Sequence, residues 1–68
     1  MAEHVFKKIE LVGTSPNSIS EAITNAVAKA TQTERNLSWF EVTELRGRIG
    51  EGKVQEFQVT VKMGARID

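Results

Sequence analysis

Between Val5 and Val12, Val5, Ile9 and Leu11 fall in one phase, interrupted by Lys7, while Phe6, Lys8 and Glu10 fall in the other. That period of two predicts a first strand. Gly13-Thr14-Ser15-Pro16-Asn17 breaks it, and Ser18-Ile19-Ser20-Glu21 then reads as a capping box. In such a box the Ser18 hydroxyl takes a free amide of the first turn while Glu21 reaches back, so a helix starts at about Ser18. Its apolar positions, Ile19, Ala22, Ile23, Ala26, Val27 and Ala30, form one stripe of mostly small side chains, which lets a sheet come close. Glu21, Asn25, Lys29 and Gln32 make the other face polar, and the helix is expected to end within residues 31–34.

A second strand, Leu37 to Gly47, places Phe40 and Val42 on one face and Trp39, Glu41 and Thr43 on the other. Strict alternation would then turn Leu45 outward and Arg46 inward, so a bulge between Val42 and Leu45 is required to bring Leu45 back to the core side. Gly47, Gly50 and Gly52 are expected to supply positive backbone angles for a hairpin. A third strand from Val54 to about Ile67 sets Phe57, Val59, Val61 and Met63 against Glu56, Gln58, Thr60, Lys62 and Arg66. The pattern predicts one α+β domain over residues 1–68, with one helix packed against three strands in the order strand, helix, strand, strand.

With Phe40 buried against that helix, Trp39 points away from the core, and the only tryptophan of the chain must be covered by a ligand or another chain. Antiparallel pairing of the last two strands brings Gln58 alongside Trp39 and Arg46 in one outward patch.

Sixty-eight residues can bury only about 60% of their unfolded surface, so a single core is marginal. Without cysteine, and with His4 the only imidazole, neither disulfides nor a thiolate or paired-histidine metal site can supplement it. Oligomerisation remains. Nine basic and nine acidic residues leave no net field for a polyanion, which argues against nucleic acid as a partner. No apolar stretch is long enough to span a bilayer and the first residues lack a signal core, so the expectation is a cytoplasmic protein with no membrane partner.

The order strand, Gly13-Thr14-Ser15, capped helix, Trp39-Phe40-Glu41-Val42, Arg46-Gly47, Gln58-Val59 and Gly64-Ala65-Arg66 resembles the bacterial dodecins over essentially the whole chain. The resemblance implies an α+β fold, a β-α-β-β unit whose three-stranded antiparallel sheet wraps around the one helix, assembled as a hollow homododecamer built from trimers. It also implies a function in flavin storage, buffering and photoprotection. By the same resemblance, Trp39 stacks on the isoalloxazine ring, with paired flavins held between tryptophans of symmetry-related subunits. Gln58 bonds the polar edge of the ring. Arg46 and Arg66 match the two arginines of the bacterial branch and favour FMN over riboflavin, and Ser38 joins the flavin set beside the tryptophan. Coenzyme A is implied as a further ligand near the trimer contacts, with Lys29 and Arg35 the nearest matches to its basic residues.

The residues alone also allow plainer roles. Trp39 fits an aromatic of an oligomer interface, Gln58 a solvated strand residue, and the arginines ion pairs with Glu41, Glu44 or Glu56. A flavoenzyme and a structural shell are the alternatives to a binding protein. No acid–base pair or dinucleotide fingerprint supports the enzyme, and His4 reads as a solvated terminal residue.

Overall fold

The computed structural model describes residues 3–68. The elements are β1 (Phe6–Ser15), α1 (Ile19–Thr31), β2 (Leu37–Gly50) and β3 (Lys53–Arg66), the β-α-β-β order that the periodicity predicts. All pairings are antiparallel and the strand order is β1-β3-β2, so β3 is central and the other two strands are edges.

The expected break at Gly13 does not occur, because β1 continues through Gly13, Thr14 and Ser15, paired with Val59, Gln58 and Phe57. Gly13 is needed for space. A Cβ there would lie 2.9 Å from the Ala26 Cβ and closer still to the Ala22 carbonyl, so the helix rests on the strand backbone. The hairpin expectation also changes in detail. The loop is only Glu51-Gly52, with φ of 55° and 74°, while Gly47 and Gly50 lie within β2 at ordinary φ. Positive φ at both loop residues matches a primed turn whose twist suits the strands. The predicted bulge is present: the register shifts between Val42 and Glu44 and skips Thr43.

Ser18 caps α1, its hydroxyl accepting the Glu21 amide at 2.9 Å. The reciprocal arm of the box runs through a neighbour. Buried Ser15 accepts the amides of Asn17 and Ser18 at 2.9 and 3.2 Å and donates its hydroxyl to the Glu21 carboxylate. Asn17 Nδ2 adds a second bond to that carboxylate at 2.8 Å. These bonds, Ser15 first, hold the Glu21 carboxyl below its ordinary value.

The apolar stripe of α1 divides into two columns. Ala22, Ala26 and Ala30 are buried against Val59, Val61 and Met63. Ile19, Ile23 and Val27 face the side where β2 lies, and there the coverage fails. Phe40 is 48% exposed, with Val42 and Leu45 similarly open, contrary to the expectation that Phe40 is buried against the helix. Helix width explains this. At about 10 Å across, α1 covers two strands spaced about 4.8 Å apart, here β1 and β3. Its 13 residues reach only about 20 Å, against about 46 Å for a 14-residue strand. The tip of the β2-β3 hairpin therefore extends past the helix, with Ile49 and Val54 exposed. The radius of gyration is 14.1 Å, against roughly 11 Å for a compact domain of this length.

Glu21 stays ionised to lower pH in the folded chain than in the unfolded one. Its contribution is complete above the ordinary carboxylate range and is lost as pH falls through the folded-state value. Stability of wild type and Glu21→Gln, measured against pH, should converge in acid and separate toward neutrality, wild type being the more stable.

Candidate functional site

The face of the sheet away from α1 is set by register. Along β3 it carries Glu56, Gln58, Thr60, Lys62, Gly64 and Arg66; β2 contributes Arg48, Arg46, Glu44, Glu41 and Trp39 opposite the first five of these. The β1 partners of Gln58 through Arg66 are Thr14, Val12, Glu10, Lys8 and Phe6. Arg46 reaches this face only because of the bulge at Thr43, and it pairs directly with Gln58.

Trp39 pairs with Gly64, and its indole lies across β3 on that glycine. A Cβ at Gly64 would fall 2.6 Å from the indole Nε1 and nearer to Cε2 and Cζ2. Gly64 is thus a floor that only the smallest residue can provide. On the β1 side stands Phe6, its ring centroid 6.1 Å from that of Trp39 at 54°, and Lys8, whose Nζ is 5.7 Å from the Trp39 centroid. Lys8 Nζ also meets Glu41 Oε1 at 2.8 Å. The hydrogen bond and charge of Lys8 hold the Glu41 carboxyl below its ordinary value. With one side on Gly64, Trp39 remains 42% exposed, a fixed aromatic plane offered outward.

Gln58 and Arg46 occupy the same face but not the same place. Gln58 lies six residues from Gly64 along β3, roughly 20 Å, so one subunit does not form the single patch that the sequence suggests. Gln58 Nε2 donates to Glu56 Oε1 at 3.0 Å. Arg46 has no ion-pair partner among the described residues, since Glu41 is held by Lys8, Glu44 accepts from Thr60 at 3.0 Å, and Glu56 lies 3.9 Å from Arg48. Arg66 stands one row beyond Trp39, opposite Phe6, with Nε 3.8 Å from Asp68. Asp68 Oδ1 also lies 3.5 Å from His4 Nδ1 at this end of the sheet, and both side chains stay open to solvent. Ser38 sits in a second bulge, between Leu37 and Trp39, and its hydroxyl donates to the Asn36 carbonyl at 3.1 Å. Lys29 lies in the last turn of α1, walling a groove with Leu11 and Thr14, and Arg35 is exposed in the connection to β2.

Among the described residues no cluster of three His, Cys, Asp or Glu side chains could hold a metal ion, and no helix is long and apolar enough to cross a membrane. The dodecin family model matches residues 5–68. The chain belongs to the dodecin family. A dodecin from Thermus thermophilus is 52% identical over 64 residues, covering 94% of this chain and 93% of the relative. The structure of a Streptomyces coelicolor dodecin superposes with a TM-score of 0.93 at 47% identity, covering 100% of this chain and 97% of the other. A Streptomyces davaonensis dodecin gives 0.92 at 43% identity, covering 98% of each chain. The β-α-β-β fold is therefore a dodecin fold at the level of backbone as well as sequence.

Phe6 and Lys8 are absent from the site as the sequence presents it. Their outward phase is visible in the first strand, but nothing in the alternation says that this strand pairs with the far side of β3, where it meets Trp39. Gly64 appears there only as part of a motif; its reason is the indole above it.

Gly64→Ala should push the indole off β3. Emission of Trp39 in the ligand-free protein should shift and become more accessible to acrylamide, while the far-ultraviolet circular dichroism is retained.

Proposed function

We propose that this dodecin binds a flavin, FMN or riboflavin, against the exposed side of Trp39, and serves as a store and buffer that suppresses the ligand's photochemistry. One observation carries it: an indole seated on Gly64, braced from β1, and still open on the outward face. Such a plane suits a flat aromatic ring, and stacking adds roughly 0.5–1.5 kcal/mol beyond the area buried. When bound, the flavin supplies light absorption and redox capacity. The indole is an electron donor at contact distance that quenches the excited state, and the amide of Gln58 can both donate to and accept from a heterocycle edge. We take the protein to bind without turnover; steady NADH-dependent turnover by pure flavin-loaded protein would contradict this. A cytoplasmic location goes with the same proposal.

The separation of Trp39 from Gln58 and Arg46 supports a site completed between subunits. The open apolar side of β2 supports assembly. Phe40, Val42 and Leu45, with Ile23 and Val27 across a groove, present helix-side surface that the subunit's own helix is too narrow to cover. A second copy of this chain covers it in this proposal, within a dodecamer of trimers. Coenzyme A is assigned to Lys29 and Arg35 on family resemblance alone, and Ser38 stays in the flavin set as the neighbour of Trp39.

Trp39→Ala should weaken flavin binding by about tenfold or more while the fold persists, and should restore the emission of bound flavin. Titration of flavin into apo-protein followed by fluorescence reads both; unchanged affinity and quenching in an assembled variant would remove Trp39 from the site. Arg66→Ala, and separately Arg46→Ala, should cost FMN about 1–3 kcal/mol more than riboflavin if the guanidinium holds the phosphate. Static light scattering should give a mass well above the 7.5 kDa chain; a folded monomer would reject the assembly.

A further inference from the structure

We infer that Lys8, held in place by Glu41, is the positioning residue of the Trp39 platform. The inference rests on the reading that Trp39 stacks on a flavin, but it concerns side chains of this chain only. Trp39 belongs to an edge strand, and its ring has to cross the central strand to lie on Gly64. Phe6 limits the far edge of the ring at a centroid separation of 6.1 Å, a tilted contact that leaves rotation possible. Lys8 supplies the remaining restraint. Its register partner is Gly64 itself, so no side chain stands between the β1 ammonium and the indole. At 5.7 Å from the centroid, Nζ is within the range in which the ring quadrupole attracts a cation.

A lysine on an exposed edge strand has many rotamers, and this one is selected by Glu41. The carboxylate receives Nζ at 2.8 Å from across β3, one register row away, on the same strand as Trp39. Two of the β2 residues on this face, Trp39 and Glu41, therefore clasp one β1 ammonium between them. With side chains about half exposed, the pair contributes little to overall stability. What it fixes is orientation. A ring already held in one pose loses less freedom when a ligand stacks on it, so affinity rises without any contact between Lys8 and the ligand.

The test uses the fact that Trp39 is the only tryptophan and that the chain has no tyrosine, so the near-ultraviolet tryptophan band of apo-protein reports this ring alone. Lys8→Met keeps the aliphatic stem and removes the charge. The expected result is a diminished tryptophan band at unchanged thermal midpoint, restored in Lys8→Arg. Glu41→Gln should move the band the same way, as should high salt on wild type, because the pair is exposed to screening. FMN and riboflavin affinities should both fall about two- to fivefold in Lys8→Met. A band that survives Lys8→Met overturns the inference. So does a loss confined to FMN, which would put the ammonium on the phosphate. Wild-type protein that takes up no flavin, while Lys8→Met still loses the band, would remove the flavin reading and leave the brace standing.

Discussion

The column Ala22, Ala26, Ala30, pressed onto a sheet that offers Gly13 beneath it, sets how much of this molecule one helix can cover. Small residues on both sides bring the helix close enough that an added Cβ at Gly13 would collide with the Ala22 carbonyl and Ala26. Close approach makes a tight interface, but a narrow one. The buried set is small: Met63, Val59, Val61 and Ser15 are its largest fully buried side chains. The larger apolar residues, Phe40, Leu45, Ile49 and Val54 among them, lie beyond the helix on β2 and the hairpin tip. A chain that spends its bulky side chains outside its own core depends on other surfaces to cover them.

The outward face follows from the same arrangement. Because α1 takes one side of β3 and both edge strands extend along it, the other side becomes a three-strand surface read in register. Its polar residues are largely paired with one another: Lys8 with Glu41, Thr60 with Glu44, Gln58 with Glu56. Trp39 stands apart as the one large aromatic plane on this face that lies on a glycine, and Arg46 as a cation without an ion-pair partner among the described residues. These two features are what the proposed ligand would use, and their separation along β3 makes a second subunit part of the proposal.

The sequence by itself determined the order of elements, the helix start at Ser18, the bulge that returns Leu45 to the core side, and the opposite facing of Phe40 and Trp39. Each is a consequence of period and of local hydrogen bonding, which act over a few residues and so are written in neighbouring letters. The place of β1 beyond β3 was decided by tertiary structure, and with it the meeting of Phe6, Lys8 and Gly64 at Trp39. So were the extension of β1 through Ser15, where pairing with β3 outweighs the turn character of Gly13, and the relay of the capping box through the Ser15 hydroxyl. The exposure of Phe40 was decided there too. Alternation tells which face a side chain takes, but whether anything covers that face depends on helix width and strand length, and those are properties of packed elements.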